Sequence, residues 1–145
     1  MFDKPRNGWT EILIGDFEGL GSYIQDIPVE CMQAFINGLR NDTPVTLHFD
    51  EEGSAFTAVI DSENTKITAD GAYGVEEYTY PLSVKALAAE VLQDMETYFI
   101  DWVEWPEEYA YFEDDEQAEK LTFFEERKAM LEELLEAFRA EINRK

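Results

Sequence analysis

PVTLHFDEEGSAFTAVIDSENTKITADGAYGVEEYTYP, Pro44 to Pro81, is the stretch on which the fold turns. Val45, Leu47 and Phe49 alternate with Thr46 and His48, the period-two pattern of a half-buried strand. EEG turns the chain, and SAFTAVID returns with Phe56, Ala58 and Ile60 alternating. SEN makes a second turn before the short strand TKITAD, and GAYG breaks that strand before VEEYTYP. Polar, glycine-bearing turns this short join antiparallel neighbours, whereas parallel crossovers need a dozen or more residues. The stretch therefore predicts four strands running back and forth.

Working outward toward the N-terminus, WTEILIGDFEG sets Ile12 and Ile14 on one side and Leu13 on the other. It reads as one further strand, ended by the glycines at 15, 19 and 21. DIPVECMQAFINGLRND reads as a helix: Pro28 suits a first turn, where a missing N–H costs nothing. Asp26 and Glu30 complement the positive helix end, and Met32, Phe35, Ile36 and Leu39 share a face.

On the C-terminal side, Ser83 suits an N-cap. Val84, Leu87, Ala88, Val91, Leu92, Met95, Tyr98, Phe99 and Trp102 then recur at spacings of three and four, predicting one amphipathic helix that Pro106 ends. A last helix is expected from near Asp114, which with Gln117 has the form of a capping box. It carries Leu121, Phe124, Leu131, Leu135, Phe138 and Ile142, with Lys128 in the one vacant slot of the seam. Such a seam suits a helix packed along its own domain; the alternative is homodimerisation through residues 115–143. The expectation is a single α+β domain spanning 1–145, an antiparallel sheet of about five strands with one early helix and two C-terminal helices packed on it.

The chain has 145 residues, 45% hydrophobic and 14% aromatic, which is core-forming composition despite 30% charge. No run of eighteen apolar residues occurs, the N-terminal MFDKPRNGWTE has no apolar signal core, and the one cysteine, Cys31, has no partner for an intrachain disulfide. A cytoplasmic location is expected.

Catalytic chemistry is poorly represented. The lone His48 sits mid-strand and the lone Cys31 in a helical pattern, and neither lies in a nucleophile motif. Two carboxylates could act as acid and base, but with 33 present any pair is uninformative. One His and one Cys do not make a structural zinc site. DSENTKITADG and FEDDEQAEK are oxygen-rich without the glycine and glutamate positions of an EF-hand. FEGLGSY lacks the Lys–Ser or Lys–Thr of a phosphate loop. No catalytic residue, cofactor or metal is expected, and the chain reads as a binding protein rather than an enzyme.

Charge is the informative property. The formal net charge is −22, and residues 120–145 hold six bases and six acids, so the whole excess lies in 1–119. Residues 86–119 contain twelve carboxylates and no base. Glu90, Asp94, Asp101 and Glu104 form a stripe expected on the solvent face of the helix, where like charges repel by a few tenths of a kcal/mol per pair. Beyond Pro106 the helical period stops. The connector PEEYAYFEDDE sets Tyr109, Tyr111 and Phe112 among Glu107, Glu108, Glu113 and Asp114. Either Tyr111 and Phe112 plug the gap between the helices, or the tyrosines stand at a surface where ring area and a wet hydroxyl suit an interface. Carboxylates and tyrosines together suit a surface rich in Lys and Arg, through bidentate pairing and stacking on ring faces. Nucleic acid and anionic membranes are disfavoured as partners by the same charge.

WTEILIGDFEGLGSY, the helix with AFINGL and the strands TLHFDEEGSAFTAVI together resemble the opening half of immunity proteins from contact-dependent and related polymorphic toxin systems. The resemblance covers about the first 80 residues, rests on pattern, and carries over no functional residue. It implies a small cytoplasmic inhibitor that occludes a secreted toxin, a nuclease in the case that best suits the charge. Two alternatives follow from the residues alone: a nucleic-acid mimic of the antirestriction or anti-CRISPR kind, and an assembly module working through the last helix.

Overall fold

A computed structural model describes residues 1–108 and 117–144. Its elements are β1 (Trp9–Ile14), β2 (Phe17–Ser22), α1 (Ile27–Asn41), β3 (Val45–Asp50), β4 (Ala55–Ile60), β5 (Thr65–Gly71), β6 (Gly74–Tyr80), α2 (Val84–Thr97), α3 (Phe99–Val103), a 3-10 turn (Trp105–Glu108) and α4 (Gln117–Arg144). The class is α+β with antiparallel strands. The strands form two sheets, however, the hairpin β1–β2 and the meander β3–β4–β5–β6, in place of one sheet of about five.

The extra strand, β2, lies where the glycines at 15, 19 and 21 predict strand ends. Gly19 and Gly21 sit inside it, paired with Ile12 and Thr10. A Cβ on Gly19 would stand 2.5 Å from the Phe56 ring, and one on Gly21 2.5 Å from Ile27 Cδ1. These glycines let β2 lie close against the meander and α1, a role glycine fills as readily as it breaks a strand. Phe17 takes the third inward place, with its ring 4.8 Å from that of Phe56.

The meander follows the alternation read from Pro44 to Pro81. Val45, Leu47, Phe49, Phe56, Ala58, Ile60 and Ile67 are buried. Thr46, His48, Val59 and Lys66 point to the open face. The turn at Glu52–Gly53 has positive φ at both residues, as tight hairpin turns require. At the next turn Asp61 Oδ1 accepts hydrogen bonds from the amides of Glu63, at 2.8 Å, and Asn64, at 2.7 Å.

Helices supply the other side of the core. Pro28 stands in the first turn of α1, and Asp42, in a left-handed conformation, ends it. Ser83 caps α2 by accepting from the Ala86 amide. The long helix expected from Val84 breaks at Tyr98, whose φ of −108° and ψ of 28° end α2 before α3 begins. Within α3, Trp102 and Val103 are buried. Among the described residues, three α-helices thus follow the sheet where two were expected. Leu131, Leu135 and Phe138 on α4 are buried. α4 runs along α1 and α2 of its own chain, and Phe138 meets Phe35 at 5.8 Å. Burying each such side chain contributes about 1.5–3 kcal/mol. The capping box expected at Asp114 and Gln117 lies outside the described residues and side chains.

Candidate partner-binding surface

A buried cation organises the neighbourhood of the acidic helices. Arg127 on α4 is only 6% exposed. Its guanidinium donates to both carboxylate oxygens of Asp26, at 2.9 Å each. It also donates to the carbonyls of Val103 at 2.9 Å and Trp102 at 3.0 Å. One side chain thus ties the entry to α1, the end of α3 and the middle of α4. It also explains why Asp26, at the N-cap of α1, makes no side-chain cap bond. The vacant slot of the α4 seam belongs to Arg127, and Lys128 is exposed. A planar fork matches a carboxylate and two carbonyls where an ammonium would not. The three-and-four spacing from Phe124 to Leu131 admits either residue, so periodicity alone could not choose.

The carboxylate stripe divides on folding. Asp94 accepts at 2.8 Å from the α-amino group of Met1 and at 2.8 Å from the Phe2 amide, and Glu90 lies 3.3 Å from the same amino group. Met1 is a buried residue, and the Asp94 side chain is 19% exposed against 49% for Glu90. Asp94 is therefore a structural counter-ion that pins the N-terminal segment, and Glu90 is partly committed to the same task. Asp101 is half-buried and Glu104 exposed, and both line a cleft of about 210 Å³ with Arg6, Asn7 and Trp105. The backbone of Glu107 and Glu108 forms the 3-10 turn. Tyr109, Tyr111, Glu113 and Asp114 lie outside the described residues.

The remaining reactive groups have structural settings. Cys31 is buried, and burial first, with the nearby charge of Glu30 second, pushes its thiol well above the ordinary range. That is the reverse of nucleophile activation. His48 lies along the same cleft as Cys31, but its Nδ1 stands 2.9 Å from Thr57 Oγ1 on the open sheet face. Among the described residues, no three His, Cys, Asp or Glu side chains come together to hold a metal ion. Among the same residues, no helix is long and apolar enough to cross a membrane.

An exposed aromatic among carboxylates does occur within the described residues, at a place the sequence reasoning passed over. The β5–β6 hairpin carries Tyr73 fully exposed at its tip and Val75 63% exposed beside it. Asp70, Glu76 and Glu77 are exposed around them, and the Tyr78 hydroxyl donates to Glu76. The available signal was GAYG itself, read only as a strand break: an aromatic in a two-residue hairpin loop has no core to enter.

The hairpin also leaves β6 at the rim of the meander. The Asp61 amide donates to the Asn64 carbonyl. In an antiparallel ladder bonded pairs alternate, so Lys66, Thr68 and Asp70 turn their backbone groups to β4, and Thr65, Ile67 and Ala69 turn theirs to β6. The β6 partners of those three are Tyr80, Tyr78 and Glu76. Val75, Glu77 and Thr79 are left presenting N–H and C=O groups outward. At the opposite rim, the Gln25 side-chain amide donates to His48 O at 2.7 Å and accepts from the Asp50 amide at 2.5 Å, closing β3 as a neighbouring strand would.

No family model, curated protein or solved structure matches this chain.

Proposed function

We propose that this chain is an acidic binding protein that neutralises a basic protein partner, most concretely an immunity protein that covers the substrate-binding surface of a secreted toxin, a nuclease being the case that best fits the charge. The observation that carries the reading is the net charge of −22, all of it within residues 1–119. A nuclease surface built to meet phosphates presents the Lys and Arg groups that such a field attracts and that carboxylates pair with. Long-range attraction also speeds capture, as inhibition of a lethal enzyme requires. The contacts available among the described residues are Glu104 and Asp101 beside their cleft and the exposed carboxylates of the β5–β6 hairpin. Asp94, committed to Met1, contributes field rather than contact.

Titration against basic nuclease toxin domains, beginning with one encoded immediately upstream of this chain's gene, tests the reading. Tight binding that weakens as salt is added and abolishes nuclease activity is the expected result. Binding indifferent to ionic strength, or none, overturns it.

A further inference from the structure

The outward backbone groups of β6 define a second kind of complementarity beyond charge. We propose that the outer edge of β6 is a docking strand, to which an extended segment of a basic protein, alternating Lys or Arg with β-branched residues, adds as a fifth strand of the meander. The proposal rests on the reading of the chain as a binder of basic proteins and names the surface and the mode.

Three observations converge on it. β6 is seven residues long, with no proline inside it. Among the described residues β5 is its only strand neighbour. Val75, Glu77 and Thr79 therefore offer three N–H and three C=O groups in register for another strand, and such addition draws affinity from main-chain hydrogen bonds. Edge strands invite this pairing, and chains that gain nothing from it close the edge. Among the described residues, Gln25 closes β3 and nothing equivalent closes β6.

The side chains select the occupant. Val75, Glu77 and Thr79 lie on the open face, and Glu76, Tyr78 and Tyr80 on the other. A residue added opposite Glu77 or Glu76 would have its Cβ about 4.5–5.5 Å away, where opposite charges stabilise and like charges repel. Lys66 is the basic residue nearest on the open face, and its ammonium is 3.8 Å from Glu77 with both side chains largely exposed, a pair too solvated to neutralise the edge. A second copy of this chain is a poor occupant. Antiparallel self-pairing about Glu76 or Glu77 would set carboxylates against carboxylates, and the two chains would bring together −22 each. A Lys- or Arg-bearing strand meets both the backbone and the charge.

The test uses the full chain, isotope-labelled, with two synthetic peptides matched in length to β6: one alternating Lys and Val, the other with Glu in place of Lys. Amide hydrogen exchange is read residue by residue. The Lys–Val peptide is expected to slow exchange at Val75, Glu77 and Thr79, with the effect fading as salt is added, and the Glu–Val peptide to leave them unchanged. Glu77→Pro removes one outward N–H while sparing the β5 ladder, a position edge strands tolerate, and is expected to lose the protection. The double variant E76K/E77K is expected to exchange its preference for the acidic peptide. Unchanged exchange at the three amides overturns the proposal and identifies Glu76 and Glu77 as guards against any added strand. Equal protection by the acidic peptide, or by concentrating the chain alone, also overturns it. If the basic peptide instead perturbs only the surface around Asp101 and Glu104, the edge is excluded while the basic-partner reading stands. If the basic peptide binds nowhere and basic toxin domains fail as well, both fall.

Discussion

At one rim of the meander, the backbone groups of His48 and Asp50 meet the side-chain amide of Gln25. At the other, those of Val75, Glu77 and Thr79 meet no further strand among the described residues. Gln25 does not stand alone. Its carbonyl accepts from the Trp105 indole at 2.9 Å, and the next residue, Asp26, is gripped by Arg127. The closed edge is thus the visible end of a chain of contacts through α3 and α4. Among the described residues, the open edge rests on β5 and carries the partly covered Tyr78 and Tyr80. Sealing a strand takes tertiary structure, and the molecule applies that structure on one side.

The contrast can be broken from the inside. Arg127→Ala leaves Asp26 and two carbonyls without their donor. The expected loss is about 3 kcal/mol in urea unfolding, the lower end for a broken buried pair because Asp26 is partly exposed. Exchange at the Asp50 amide should rise with it, while the inward amides of Glu76 and Tyr78 keep the protection that β5 gives them relative to global unfolding. A loss below about 0.5 kcal/mol, typical of a surface change, would show that Arg127 does not hold the closed side together.

The same inside-against-outside division runs through the carboxylate stripe. Asp94→Ala should cost about 2 kcal/mol, because it removes charge-assisted bonds to the α-amino group of Met1 and the amide of Phe2, both part-buried. Glu104→Ala should change stability by less than about 0.5 kcal/mol. Thermal unfolding of both variants measures the difference, and equal effects would dissolve it.

A smaller effect is expected at Gln25. Gln25→Ala removes two edge hydrogen bonds, at about 1–2 kcal/mol together, and frees the Asp50 amide to exchange. Glu77→Ala at the open edge should leave stability within about 0.5 kcal/mol of the parent. Should the Asp50 amide stay protected in Gln25→Ala, β3 is closed by something other than this side chain.

The smallest expected effect lies between the edges, at the β4–β5 turn. Amide hydrogen bonds from Asn64 and then Glu63 hold the Asp61 carboxyl below the usual carboxylate range. A carboxyl with a depressed folded value adds stability above its unfolded value, and that stability is lost as pH falls through the folded value. Glu141 follows the same sign through its hydrogen bond with Arg40. Carboxyl-carbon titration by NMR should therefore find both midpoints below the ordinary values of their residue types. Midpoints at or above that level would remove the Asp61 turn as a specific acid-sensitive contact.

Much of the fold was legible because it follows local periodicity. The alternation from Val45 to Ile60, the inward face of α1 and the Ser83 cap each depend on neighbours two to four residues apart. The strand at Phe17–Ser22 was missed because glycine carries two meanings, chain break and close approach, and only the position of Phe56 distinguishes them. The helix break at Tyr98 falls inside an unbroken three-and-four pattern, with no Gly or Pro to mark it. Within the proposed partner surface, Asp94 was read as outward because its partner is an amine 93 positions away. The exposed hairpin was passed over because its carboxylates are spread among strand residues rather than gathered in a run.

Composition and pattern alone determined that this chain makes antiparallel strands with packed helices and carries an excess of negative charge. Both are sums over residues, or relations between near neighbours, and need no knowledge of where distant segments meet. Which of two adjacent basic residues is buried, which carboxylates face inward, and which sheet edge is sealed were decided only in three dimensions. Each depends on a geometric match between groups far apart in sequence: a guanidinium fork to Asp26 and two carbonyls, an amine to Asp94, an amide side chain to the rim of β3.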